Sequence, residues 1–320
     1  MIRLLSYLIC ALLVSGCLKD ELAVPKAPRG AGTTLEACMG PAYQDQVWMD
    51  IGSGTLVATN TKTAWDLAFE SAPDGWHVYL NGSRLMTAWN IGEAPLDVAS
   101  DTLGMAAGRR IDAPSGDADS TALGDWRTHS DVYLLDLGYT PLGQWMGVRK
   151  LRVESVSSTE YTITTALQNG TDVRTWTIPK DASKNFTCFR FDEGVVAIEP
   201  PAGTWDLVLT QYTHQFYEPY LPYIVTGALT PVGVRVAELD AVDPALVTLA
   251  DTVMNPFSSK RDAIGYDWKV YSFEEASYTV DADRVYIVQD RDGYFYKLRF
   301  LDFYSEQGTV GCPRFEVTPL

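Results

Sequence analysis

Histidine is scarce in this chain of 320 residues, which carries only His77, His129 and His214. The five cysteines form no CxxC pair and no Cys/His cluster, so the usual structural zinc arrangements are excluded. HExxH, GxSxG and GxxxxGK are all absent, which leaves zinc-protease, serine-hydrolase and P-loop chemistry without a carrier. No spacing marks a catalytic pair of carboxylates, and the expectation is a protein that is not an enzyme. Positive charge is also short: 25 Lys and Arg stand against 41 Asp and Glu, a net charge of −16. Such a surface repels phosphate backbones, so nucleic acid is excluded as a partner.

One apolar run is present, at the start. MIRLLSYLICALLVSGC carries Arg3 and then an apolar stretch from Leu4 to Val14, too short to span a bilayer and of signal-peptide form. Val14-Ser15-Gly16-Cys17 resembles a bacterial lipobox, which makes residues 1–16 the signal and Cys17 the lipid anchor. Two or three acyl chains hold a protein stably where one would bind reversibly. Lys19-Asp20-Glu21 resembles the tag that sends some Gram-negative lipoproteins to the outer face of the cell. Residues 17–37, rich in Ala, Pro, Gly and Thr, read as a flexible tether, and 38–320 as the folded domain. The expected location is the outer membrane, lipid-anchored and facing outward. Cys38, Cys188 and Cys312 then lie in an oxidising compartment. They allow at most one disulfide, for which a clasp between Cys38 and Cys312 suits the two ends of the domain. Cys188 reads as a small buried residue.

The rest has β composition, with 12% aromatics and frequent Val, Thr, Gly and Pro. Alternation predicts strands such as EYTITTAL (160–167), WDLVLTQY (205–212) and YFYKLRFLDFY (294–304). ELDAVDPALVTLADTVM (238–254) is the one helix candidate, with Pro244 near its start. TAWDLAFE followed by WHVYLNG is echoed by GTWDLVLT followed by PYIVTGAL, which points to a duplicated strand unit. Residues i and i+2 share a face, so Trp65, Leu67 and Phe69 are expected in one core and Trp205, Leu207 and Leu209 in the other. The fold class is all-β, with antiparallel sheets and at most one or two short helices. The acidic loop 111–125 lacks an EF-hand register and reads as a solvated turn.

AYQDQVWMDIGSGTLV (42–57), WDLAFES, SGDADSTALGDW (115–126), WDLVLTQYTH, AIGYDWKVYSF (263–273), DGYFYKLRFLDFY (292–304) and GTVGCPRFEV (308–317) occur in an order that resembles the HmuY-type haem-binding lipoprotein family. The resemblance implies an all-β protein that binds haem, or a related tetrapyrrole or iron carrier, and delivers it to a TonB-dependent outer-membrane receptor. Haem needs imidazole or thioether donors in a wide apolar slot. His214 ends its strand beside Tyr212, Phe216 and Tyr217, and these three aromatics are the pocket candidates. His214, Met254 and His129 are the candidate iron ligands, and His77 is expected to face solvent or to pair across strands. Residues 215–262 contain no histidine, a departure from bis-histidine ligation. The alternative is an accessory surface lipoprotein that binds protein or glycan on the same fold without haem.

Overall fold

A computed structural model of the chain describes residues 26–320, so the signal-like run, Cys17 and the Lys19-Asp20-Glu21 tag lie outside the described residues. The chain opens with β1 (Thr33–Glu36), β2 (Asp45–Asp50) and β3 (Thr55–Thr61). A first unit follows without interruption: β4 (Leu67–Glu70), β5 (Val78–Leu80), β6 (Thr87–Asn90), β7 (Tyr133–Asp136), β8 (Val148–Val156), β9 (Glu160–Leu167), β10 (Arg174–Pro179), β11 (Phe186–Arg190) and β12 (Gly194–Val196). The second unit holds β13 (Leu207–Tyr217), β14 (Tyr220–Leu229), β15 (Arg235–Leu239), β16 (Lys269–Ser272), β17 (Ser277–Val280), β18 (Val285–Gln289), β19 (Phe295–Tyr304) and β20 (Val310–Pro319). Among the described residues, the only α-helix is the four-residue α1 (Met105–Gly108), so the fold is all-β as composition requires.

In the first unit the sheet β12-β11-β4-β5 packs on β10-β9-β8-β7-β6, and in the second β3-β2-β13-β14 packs on β1-β20-β19-β18-β15. The two strand orders correspond position by position. The sequence repeat is thus a duplicated sandwich, but its second copy is completed by the first three strands of the chain. Hydrogen bonding repeats too. The Asp66 N–H donates to the Phe189 carbonyl at 2.8 Å, and the Asp66 carboxylate accepts from the Phe191 N–H at 2.8 Å. Asp206 donates to the Met49 carbonyl at 2.9 Å and accepts from the Ile51 N–H at 3.1 Å. Each aspartate therefore stoppers the end of the neighbouring strand, satisfying a backbone donor that the ladder leaves open.

Leu67 and Phe69 enter the core of the first unit, and Leu207 and Leu209 that of the second. Trp205 is buried as expected, but the tryptophans do not share that face, which corrects the alternation reading. Trp205 packs edge-on against Trp48 at 4.5 Å together with Val208, on the opposite face from Leu207, and Trp65 is only half-buried. Both precede the first paired residue of their strand, where the chain bends in at the aspartate and period-two alternation has not begun. They line a cavity between the two inner sheets.

Two further expectations are corrected. Thr33–Glu36, assigned to the flexible tether 17–37, is a strand paired with Arg314–Val317, and Ala37 is buried. Its polar sequence acquires order from the edge of β20. The helix candidate 238–254 instead ends β15, turns, and makes one short 3-10 turn at Leu249–Val253. Val236, Ala237 and Leu239 are buried against the sheets, and Pro244 lacks the N–H that a helix interior needs. Cys38 and Cys312 are disulfide-bonded, joining the segment after β1 to the last strand. Cys188 is free and buried, and burial pushes its thiol up to about 12.

Candidate functional site: a cleft at the end of the second unit

His214 lies near the outer end of β13, opposite Tyr223 of β14. The segment after the 3-10 turn folds back over this hairpin. Ser258 exchanges backbone hydrogen bonds with Val236 at 2.8 and 2.9 Å, and Gly265 does so with Ala228 at 2.9 and 3.1 Å. A glycine is required at 227, because a Cβ there would stand 2.2 Å from the Gly265 carbonyl. The 3-10 turn is fastened at its start, where the Thr248 N–H donates to the Asp251 carboxylate at 2.8 Å, and it ends at Met254.

This return path encloses a cleft of about 510 Å³, within the range of roughly 300–1,000 Å³ usual for small-molecule and cofactor sites. His214 and Tyr212 supply one wall, Val236 and Glu238 a second, and Met254, Pro256, Asp262 and Tyr266 the returning one. The imidazole sits edge-on to Phe216 at 4.9 Å and 5.0 Å from the Tyr266 ring. Its Nδ1 is buried with no hydrogen-bond partner among the described residues. Met254 is 83% exposed.

The walls are more charged than a purely apolar slot. Burial raises the Glu238 carboxyl, opposed by Arg284 at 3.3 Å, and Arg284 also pairs with Asp267 at 3.1 Å. Burial likewise raises Asp262, against the pull of Lys260 and His214. The Tyr212 and Tyr266 hydroxyls are both raised by burial. The cleft thus offers one imidazole and one exposed thioether as candidate iron donors, and Arg284 pairs with two of the three wall carboxylates.

The other sequence candidates lie elsewhere. His129 is in an exposed loop. His77 bonds Glu70 across its hairpin at 2.7 Å. Tyr217 is 77% exposed at the hairpin tip, and neither it nor Phe216 lines the cleft, although Phe216 packs on the His214 ring. Asp112 of the acidic loop is not solvated: it accepts the Leu80 and Ala122 N–H groups at 2.6 and 2.7 Å, and burial lifts it to about 6. Among the described residues, no group of three or more His, Cys, Asp or Glu is placed to hold a metal. Sequence reasoning missed Tyr266, whose only signal is an aromatic next to glycine in AIGYDW.

A two-unit β-sandwich with a histidine–methionine cleft is the frame into which the comparisons fall. The family model described as HmuY protein matches residues 42–317, and the chain belongs to the HmuY family. Among solved structures it is similar to the apo form of PinO from Porphyromonas gingivitis (10% identity, 91% of this chain and 98% of that one, TM-score 0.34). It is similar also to an apo HmuY analogue from Tannerella forsythia (9%, 93% and 100%, TM-score 0.31). A Bacteroides vulgatus protein described as HmuY-like and haem-binding is similar over 53% of this chain and 91% of its own, at 13% identity and TM-score 0.23. No curated protein matches.

Proposed function

We propose that this protein is a non-enzymatic, lipid-anchored binder of haem, or of a related tetrapyrrole or iron carrier. In this reading it faces outward from the outer membrane and passes its cargo to a TonB-dependent receptor. The observation that carries the reading is that His214 and Met254 line one cleft in a chain of the HmuY family. His214 and Met254 would hold the iron, Tyr212 and Tyr266 would flank the macrocycle, and Lys260 would meet a propionate. Bound haem supplies the iron; the chain supplies only grip and orientation. Titration of the purified apo-protein with haemin tests this. The expected result is a shifted Soret band saturating near one equivalent, abolished in H214A and weakened about tenfold or more in M254A. No Soret shift in either oxidation state overturns it.

A second reading, an accessory lipoprotein binding protein or glycan, is favoured by one observation. Tyr217, Tyr220 and Phe273 are 77%, 76% and 91% exposed, the kind of aromatic display that recognition surfaces use. Failure of haemin binding with retained capture of a glycan through these rings would select it.

A further inference from the structure

The tryptophans displaced from the cores wall a second cavity, about 120 Å³, between the inner sheets of the two units. It is separate from the His214 cleft, although Tyr212 borders both. Its surface is largely aromatic and aliphatic, and its hydrogen-bonding groups are mostly satisfied. The Trp48 indole donates to Asn60 at 2.7 Å and that of Trp65 to Gln46 at 2.8 Å. Asp112 holds two backbone N–H groups, and Glu199 accepts from Asn185 and from the Phe186 N–H at 2.6 and 2.7 Å.

Arg261 is different. Its backbone is pinned by hydrogen bonds of 2.8 Å to Ser115 and Thr230, and the residue lines the cavity. Its guanidinium lies 5.5 Å from the Phe186 ring centroid and makes one side-chain hydrogen bond, a long 3.4 Å contact from Nε to the Thr230 carbonyl. Among the described residues it has no ion-pair partner. The Trp205 indole N–H, also at this wall, is buried without an acceptor. The groups left open are therefore donors, one of them a planar fork shaped for a carboxylate.

We propose that this cavity is a binding site for a small monocarboxylate with a compact apolar or aromatic body. The carboxylate meets the Arg261 fork, and the body lies among Trp48, Trp65 and Trp205. At about 120 Å³ the cavity is smaller than the roughly 150 Å³ that accommodates benzene, so a single six-membered ring is the upper limit of the body it can take. Asp112 and Glu199 keep their acidic character and lie within electrostatic reach of Arg261, but burial raises both carboxyls toward the neutral form, which limits their repulsion of one further anion. They do select against a second negative charge.

The test is calorimetric titration of the full chain with benzoate and with benzyl alcohol, alongside tryptophan fluorescence. Benzoate is expected to bind saturably and to change the indole emission, more tightly than benzyl alcohol. R261Q should weaken benzoate about tenfold or more and leave benzyl alcohol unchanged. If R261Q does not fold, R261K keeps the charge without the fork and should still weaken benzoate several-fold. A68L, which fills the space beside Ala68, should abolish both ligands while haemin binding persists. No saturable change at millimolar benzoate, equal affinity for the two ligands, or unchanged benzoate affinity in the folded Arg261 variant overturns the proposal.

Discussion

Asp66 and Asp206 occupy equivalent places in the two units, but their surroundings differ. Asp66 has a guanidinium, Arg84, at 2.5 Å. Asp206 has no such partner among the described residues; burial, with Asp50 close by, raises it to about 7. Its proton is held more tightly in the folded chain than in the unfolded one. Stability from this group is complete below about pH 4 and is lost as pH rises through about 7, a span of roughly 2–4 kcal/mol. Lys269 acts in the opposite sense. Burial depresses it to about 7, so the unfolded chain binds the extra proton and stability recovers between about pH 7 and 10. Urea midpoints measured against pH should therefore dip near neutrality. D206N keeps an acceptor for the Ile51 N–H and should flatten the acid-side slope. A slope unchanged in D206N would assign it to another group.

At the scale of elements, the cleft depends on the close approach of β14 and the returning segment at Gly227 and Gly265. A methyl group at 227 has nowhere to go, because the obstructing atom is backbone. G227A should cost about 1–3 kcal/mol in urea unfolding and weaken haemin binding by pushing the Tyr266 wall outward; wild-type behaviour in both assays would refute this packing. The same contact shows what a sequence can and cannot reveal. Strands such as β9 and β13 were legible because half-buried sheets impose alternation, and Leu67, Phe69, Leu207 and Leu209 fell where alternation put them. β1 was not, because its order comes from β20, 274 residues away across the disulfide. His214 stood out because its strand had no structural need of an imidazole. Tyr266 and Arg261 did not, since their positions depend on a loop that returns by backbone bridges at Ser258 and Gly265. The tryptophans of the repeat were visible as residues, but the bend at each aspartate sent them to the opposite face.

The whole molecule is a chain whose opening strands finish a sandwich begun again at Leu207. The Cys38–Cys312 bond closes that circuit, and the C38S/C312S double variant should lose about 2–5 kcal/mol, read as a lower urea midpoint with unchanged secondary structure. Equal midpoints would show that the bond constrains nothing the sheets do not already hold. Anchoring is a separate matter, since Cys17 lies outside the described residues. In the proposed reading, C17A should move the protein from the membrane pellet to the soluble fraction, and persistence in the pellet would contradict the lipid anchor. The clasp also determines how the fold carries mechanical load. Tension applied through the amino-terminal segment can peel β1 only as far as Cys38. Beyond that point the force passes through the sulfurs into β20, flanked by β19 on its other side. A tug that would unravel an unclasped chain from its first strand is then resisted by the five-stranded sheet acting together.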